Sequence, residues 1–325
     1  MAERTIDEQL VKYLTDAHSI EEQALQQLRM APDAAGDEHL AALLREHLAE
    51  TETHERLVRE QLATHGASPS ALKGAVMRAG GAAFVLFARS QPDTPGKLAA
   101  HAYSYEHLEL AAYELLLRVA DRAGDRLTAA TARRIREEER RMGERLEAAF
   151  DSTVDASLRD LDPENLDDQL AKYLADAHAI EAQAIELLEK GQDIAGDPAL
   201  ARIYAEHLDE TRAQQELVRE RLQAHDTSPS RLKDAALRLG ALNWGGFFAA
   251  QPDTPGKLAA FAYAFEHLEI GGYEELKRVA ERAGDGDTVT ATERILAEER
   301  AAAGKIAGSF DLAVSASLRA QEVGV

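Results

Sequence analysis

Asp16-Ala17-His18-Ser19-Ile20-Glu21-Glu22-Gln23-Ala24 returns 160 residues later as Asp176-Ala177-His178-Ala179-Ile180-Glu181-Ala182-Gln183-Ala184. Leu10, Leu14, Ala17, Ala24 and Leu28 flank the first phrase at alternating steps of four and three, and Glu21 falls on the same line. That rhythm is the buried stripe of an amphipathic helix. A glutamate in the middle of such a stripe, kept in two copies that have changed at many surface positions, decides how the rest of the chain is read. The same offset carries Tyr13, Glu50, Glu106 and Phe150 to Tyr173, Glu210, Glu266 and Phe310, and residues 6–158 align with 166–318 without a gap. A repeat of this length is a duplicated domain rather than a solenoid unit.

The duplication divides the 325 residues into a domain over 1–160 and another over 161–325, joined near Leu161-Asp162-Pro163-Glu164-Asn165. Each copy is long enough to bury a core of its own. Cysteine is absent, which excludes disulfides, thiolate metal sites and cysteine nucleophiles. The formal net charge of −21 argues against nucleic acid and anionic membrane surfaces as partners. No apolar run is long enough to span a bilayer, and no basic-then-apolar leader opens the sequence. A soluble, cytoplasmic protein is the expectation.

The chain is rich in Ala, Leu, Glu and Arg and poor in β-branched residues, with helical periodicity throughout. The punctuation of the first copy predicts four long helices. The first covers roughly 6–30 and stops at Pro32. The second follows Gly36-Asp37 and ends near His65-Gly66. The third opens after Asp93-Thr94-Pro95 and ends at Ala123-Gly124. The fourth is capped by Asp125 or Thr128 and reaches Phe150. The connections within the first and last pairs are short, so each pair reads as an antiparallel hairpin. Between the pairs lie nearly thirty residues, with a short helix of their own opened by Ser68-Pro69-Ser70. A crossover of that length brings the third helix parallel to the second, the ferritin-like arrangement of a four-helix bundle. The fold class is therefore all-α, with two tandem bundles expected to be related by pseudo-two-fold symmetry. The apolar stretch Ala82 to Phe87, and Trp244 and Phe247 in the second copy, are expected to cover a bundle end or a dimer contact.

Every predicted helix carries acid on its apolar line. Glu21 sits in the first. The second reads Leu40, Leu43, His47, Glu50, His54, Leu57 and Gln61. The third carries Glu109, with Glu106 on an adjoining line. The fourth reads Ala132, Ile135, Glu139, Met142 and Leu146, with Glu138 competing for the inward place. The second copy keeps Glu181, Glu210, Glu266, Glu269 and Glu299 or Glu298. An ionised carboxylate buried without a partner costs several kcal/mol, against a net domain stability of about 5–15 kcal/mol. Several of them converging must be exposed, protonated, paired or bound to cations. No Lys or Arg shares these lines at the same level; the nearest bases are His18, His47, His54 and His107. Divalent cations offset the charge, and oxygen ligands with an occasional imidazole suit iron or manganese.

The order and spacing of these residues resemble the ferritin-like superfamily, and within it the YciE/YciF-type ferritin-like stress proteins. The likeness is carried by Asp16 to Gln23, His47-Leu48-Ala49-Glu50-Thr51, Glu106-His107-Leu108-Glu109 with Tyr113, and Glu138-Glu139, and it covers nearly all of each copy. The superfamily pattern has a Glu on each of two helices and Glu-x-x-His on the other two. The resemblance implies Glu21 and Glu106 as single ligands and Glu50 and Glu139 as bridges. Glu106-x-x-Glu109 also resembles the third helix of rubrerythrin. The chain departs from the pattern at Thr53 and Met142, where histidine is expected, although His54 follows at the next position. The second copy has Ala213, Gln214 and Ala302 in these places. His18, His178, His47 and His207, each three residues before a glutamate, are groups that orient carboxylates or pack in the core. Tyr113 and Tyr273 either donate a hydrogen bond or an electron to the site, or pack.

Three functions are compatible with these residues. The first is a carboxylate-bridged dinuclear centre, di-iron before manganese, in one or both bundles. It would meet oxygen or peroxide as a ferroxidase or peroxide scavenger. The second is a metal-free helical scaffold whose acids pair internally or at an interface. The third is a di-metal oxidase or hydroxylase with an organic substrate, which would need an open cavity near Tyr113 and Phe84. The fused copies are expected to act as a monomer that mimics a dimer, or as a small homo-oligomer.

Overall fold

A computed structural model describes residues 5–70, 94–227 and 254–323. Regular structure among these residues is entirely helical. The chain forms two compact units that meet in sequence at Leu158 and Arg159. The first contains α1 (Ile6–Met30), α2 (Glu38–Thr64), α3 (Thr94–Ala123) and α4 (Arg126–Leu158). The second contains α5 (Leu166–Ile194), α6 (Pro198–Ala224), α7 (Thr254–Ala283), α8 (Gly286–Gly308) and α9 (Phe310–Ala320). No described helix is long and apolar enough to cross a membrane.

Local chemistry sets the helix ends. Thr5 and Glu8 form a reciprocal capping box at the start of α1, with bonds of 3.2 and 3.1 Å. Asp37 accepts from the Leu40 amide at 2.7 Å, and Asp125 from the Thr128 amide at 3.0 Å. The cap of α4 is thus Asp125; the Thr128 hydroxyl donates to it at 2.6 Å instead of capping for itself. Gly36 turns the corner between α1 and α2 at φ +63°, and a Cβ there would meet Pro95 at 3.0 Å. Gly196 repeats this at φ +66° with Pro255 at 2.8 Å. Only glycine offers both that backbone conformation and that clearance.

In the first unit α1 packs on α2 and α3, and α4 packs on α2 and α3. Cross-helix pairs give the directions. Glu46, His54 and His65 of α2 and its C-cap meet Arg145, Glu138 and Asp125, so α2 and α4 run antiparallel. Gly96 donates to Ser157 at 3.0 Å while Asp121 meets Arg133, so α3 and α4 are antiparallel too. Helices α2 and α3 are therefore parallel, as a long crossover requires. The crossovers themselves, with Ala82 to Phe87, Trp244, Phe247 and the expected short helices, fall at 71–93 and 228–253, outside the described residues.

The fourth helix differs between copies and from its sequence reading. Helix α4 continues past Phe150 to Leu158, whereas the second copy breaks into α8 and α9 at Ser309. Ala148-Ala149 in the first copy are Gly308-Ser309 in the second. Two strong helix formers have been exchanged for glycine and serine, which favour helix ends.

Candidate metal centres

Helix phase decides which side chains enter each core. On α2 the buried line is Leu40, Leu44, His47, Thr51, His54, Val58 and Gln61. It shares Leu40, His47, His54 and Gln61 with the line read in the sequence, and Leu43 is buried too, but Thr51 and Val58 take the inward places read for Glu50 and Leu57. Glu50 consequently sits at the edge of the stripe with 44% of its side chain exposed, and His47, fully buried, takes the inward place. The same shift leaves Glu210 37% exposed beside His207, which is 2% exposed. Glu50 and Glu210 are therefore not among the converging ligands, and the bridging role that resemblance implied for Glu50 does not fit this placement. On α4 Glu139 is fully buried and Glu138 is 20% exposed, its carboxylate shared by His54 and Arg134.

The buried groups of the first bundle form two sets with one shared member. His47 Nε2 lies 3.1 Å from Glu106 Oε2 and 3.4 Å from Glu139 Oε2. His54 Nδ1 lies 2.7 Å from Glu139 Oε1, and its Nε2 is 2.8 Å from Glu138. Ligand atoms of His47, Glu106, Glu109 and Glu139 all fall within 4.8 Å of one another, as do those of Glu21, His54 and Glu139. Tyr113 donates a short hydrogen bond to Glu21 Oε1. Sequence-predicted Glu21, His54, Glu106, Glu109 and Glu139 are thus brought together, with Tyr113 beside them.

These groups approach at ion-pair distance, yet many of their atoms make no well-aligned hydrogen bond. Glu21 Oε2, Glu106 Oε2, both oxygens of Glu109 and of Glu139, His47 Nε2 and His54 Nδ1 are buried with no hydrogen-bond partner among the described residues. Buried polar atoms are almost always satisfied, so a cluster of convergent orphans is the geometry expected where a cation completes the core. The electrostatics agree. Burial pushes the Glu21 carboxyl up to about 8, although His54 and Tyr113 oppose the shift. Burial and the charges of Glu139, Glu21 and Glu106 hold Glu109 well above the usual carboxylate range. Burial would lower His47 and His54, but neighbouring carboxylates outweigh it, holding His47 well up and His54 at about 9. Without a cation the cluster retains protons that a bound cation would displace.

The second bundle repeats half of this arrangement. His207 Nε2 lies 2.8 Å from Glu266 and 3.6 Å from Glu299, and its Nδ1 is 3.2 Å from Glu210. His207, Glu266, Glu269 and Glu299 form one set within 4.8 Å. Both oxygens of Glu269 and of Glu299, and Glu181 Oε2, have no described hydrogen-bond partner. Tyr273 donates to Glu181 Oε1, and burial pushes Glu181 up to about 8. His54 is replaced by Gln214, whose amide nitrogen donates to Glu298 at 3.1 Å.

The sequence reading gave His47 and His207 as groups that orient carboxylates or pack in the core, whereas their Nε2 atoms face the cluster directly. Their signal was present: Leu40, His47, His54 and Gln61 recur every seven residues, the spacing of a single buried seam. His107 stands apart. Its Nδ1 faces the Tyr103 carbonyl at 2.7 Å, burial holds its pKa down to about 4, and its ring lies against Gly143. A further group, His18, Glu22 and Glu55, is closed by a 2.9 Å pair between His18 and Glu55. Its counterparts are His178, Ala182 and Gln215, so it exists in one copy alone.

No solved structure matches this chain. The family model of DUF892, a domain of unknown function with a ferritin-like fold, matches residues 5–159 and again residues 165–318. The chain belongs to the DUF892 family and carries its domain twice.

Proposed function

We propose that the chain is a ferritin-like metal protein of the YciE/YciF stress-protein kind, cytoplasmic, and that it uses iron in preference to manganese to oxidise Fe(II) or remove peroxide. The observation that carries this reading is the convergence of buried, unpartnered carboxylate and imidazole atoms at matching depth in both bundles. The donor set fits the metal: oxygen-rich with one or two imidazoles, and no thiolate. Glu21, His47, His54, Glu106, Glu109 and Glu139 would hold it in the first bundle, and His207, Glu266, Glu269 and Glu299 in the second. Iron, when bound, supplies the electrons that reduce oxygen or peroxide.

The protein's own groups position and shield. The Tyr113 hydroxyl fixes Glu21 through Oε1 and leaves Oε2 for the site; Tyr273 does the same for Glu181. Each of these tyrosines touches a candidate ligand carboxylate and is placed to pass an electron. Dense packing keeps bulk water from the carboxylates. A cavity of about 20 Å³ lined by Gln27, His101, Tyr105 and Glu106 has room for a single water beside the cluster. Anaerobic titration with Fe(II) followed by elemental analysis tests the proposal, and binding below one equivalent per bundle would sink it.

The metal-free scaffold has one observation in its favour. His47 and His54, both held protonated by their neighbours, partly balance the buried acids. On that reading chelated and iron-loaded protein would melt at the same temperature.

A further inference from the structure

Glu139 presents Oε2 towards His47 and Oε1 towards His54, so its two oxygens belong to two different ligand sets. Each set has an imidazole of its own, and each has carboxylate oxygens with no other described partner. In the second bundle Glu299 faces His207 with Oε2, and that set is complete with Glu266 and Glu269. The other side of Glu299 has no imidazole. Gln214 stands there, with its nitrogen committed to Glu298 and only a neutral amide oxygen remaining. Glu181 and Glu299 remain on that side, with Tyr273 occupying one oxygen of Glu181 and the Glu298 carboxylate taken up by Gln214 and Arg294. For iron an amide oxygen is a poorer donor than an imidazole.

We infer that the two bundles are built for different nuclearity: two transition-metal ions in the first, sharing Glu139, and one in the second, giving three per chain. The inference rests on the metal-binding reading above, and it adds an inequality that a simple duplication would not produce. The residue that sets it is position 54 and its counterpart, His54 against Gln214.

The full chain is loaded anaerobically with excess Fe(II), desalted, and its iron counted by elemental analysis. A parallel sample carries Mn(II) for electron paramagnetic resonance. Wild type is expected to hold three ions, with one isolated six-line Mn(II) signal beside a broadened, exchange-coupled one. His54→Gln should lower the count to two and leave only isolated signals. Gln214→His should raise it to four and remove the isolated signal. The two substitutions move the count in opposite directions, so a folding failure in one leaves the other decisive. Wild-type counts of two or four, or no change in Gln214→His, overturn the inference while the metal reading stands. Fewer than two ions per chain defeats both. Glu55→Gln should leave the count at three; a fall would assign one ion to the His18 group and overturn the two-plus-one division.

Discussion

His47 is anchored at one ring nitrogen and turns the other to the buried cluster. Nδ1 meets Glu50 at 3.2 Å, while Nε2 faces Glu106 and Glu139 across the buried centre. A carboxylate at Nδ1 keeps the proton there in the neutral ring, which turns the Nε2 lone pair inward. Glu50 therefore acts through His47, and His47 shields it from the core that its sequence position suggested. Glu50→Ala is expected to weaken Fe(II) binding to the first bundle by about 10–100-fold without abolishing it. An anaerobic Fe(II) binding isotherm with unchanged affinity would remove this role. What was legible in advance was the set of helices that carry acid; what was not was the phase of α2. Leu43 and Leu44, Glu50 and Thr51, and Leu57 and Val58 are neighbours on adjoining lines, and each line alone is apolar enough to face a core. Packing against α1 and α4 chooses between them, and the sequence of α2 by itself holds no record of those contacts.

At the scale of the element, α4 and its broken counterpart provide a measurable contrast. Gly308 is helical, and a Cβ added there would meet nothing within 4 Å. Gly308→Ala restores the residue found at 148, and it should stabilise the second bundle by about 1 kcal/mol. Thermal or urea unfolding followed by circular dichroism checks this, and a destabilised variant would mean that the break at Ser309 is needed. Helix starts were readable because their chemistry is local: Asp37, Asp125, Asp197 and Asp285 each accept an amide hydrogen bond two or three residues on. The length of α4 was not readable in the same way. Nothing near Phe150 stops a helix, and only the Gly-Ser pair in the other copy marks that position as a place where one can end.

For the whole molecule the buried acids and histidines act in the same direction. Glu21 and Glu181 titrate near 8 when folded against 4.5 for an ordinary glutamate, so raising the pH between those values favours the unfolded chain. His54 and His207 titrate near 9 against 6.5, and the stability they contribute is present below 6.5 and lost as the pH climbs through 9. Metal-free protein should therefore melt at progressively lower temperature from about pH 5 to about pH 9. A divalent cation bound as proposed would displace the same protons, so the rise in melting temperature on adding Mn(II) should grow over that interval. A cation effect independent of pH would place the ion away from these groups. Joining two diverged domains in one polypeptide has a genetic consequence as well. In a symmetric assembly of a single short chain, each codon change alters every centre at once. Here one codon, at 214, alters one centre and leaves its neighbour untouched. The gene thus fixes a one-to-one supply of two unlike buried clusters that neither dilution nor unequal expression can disturb.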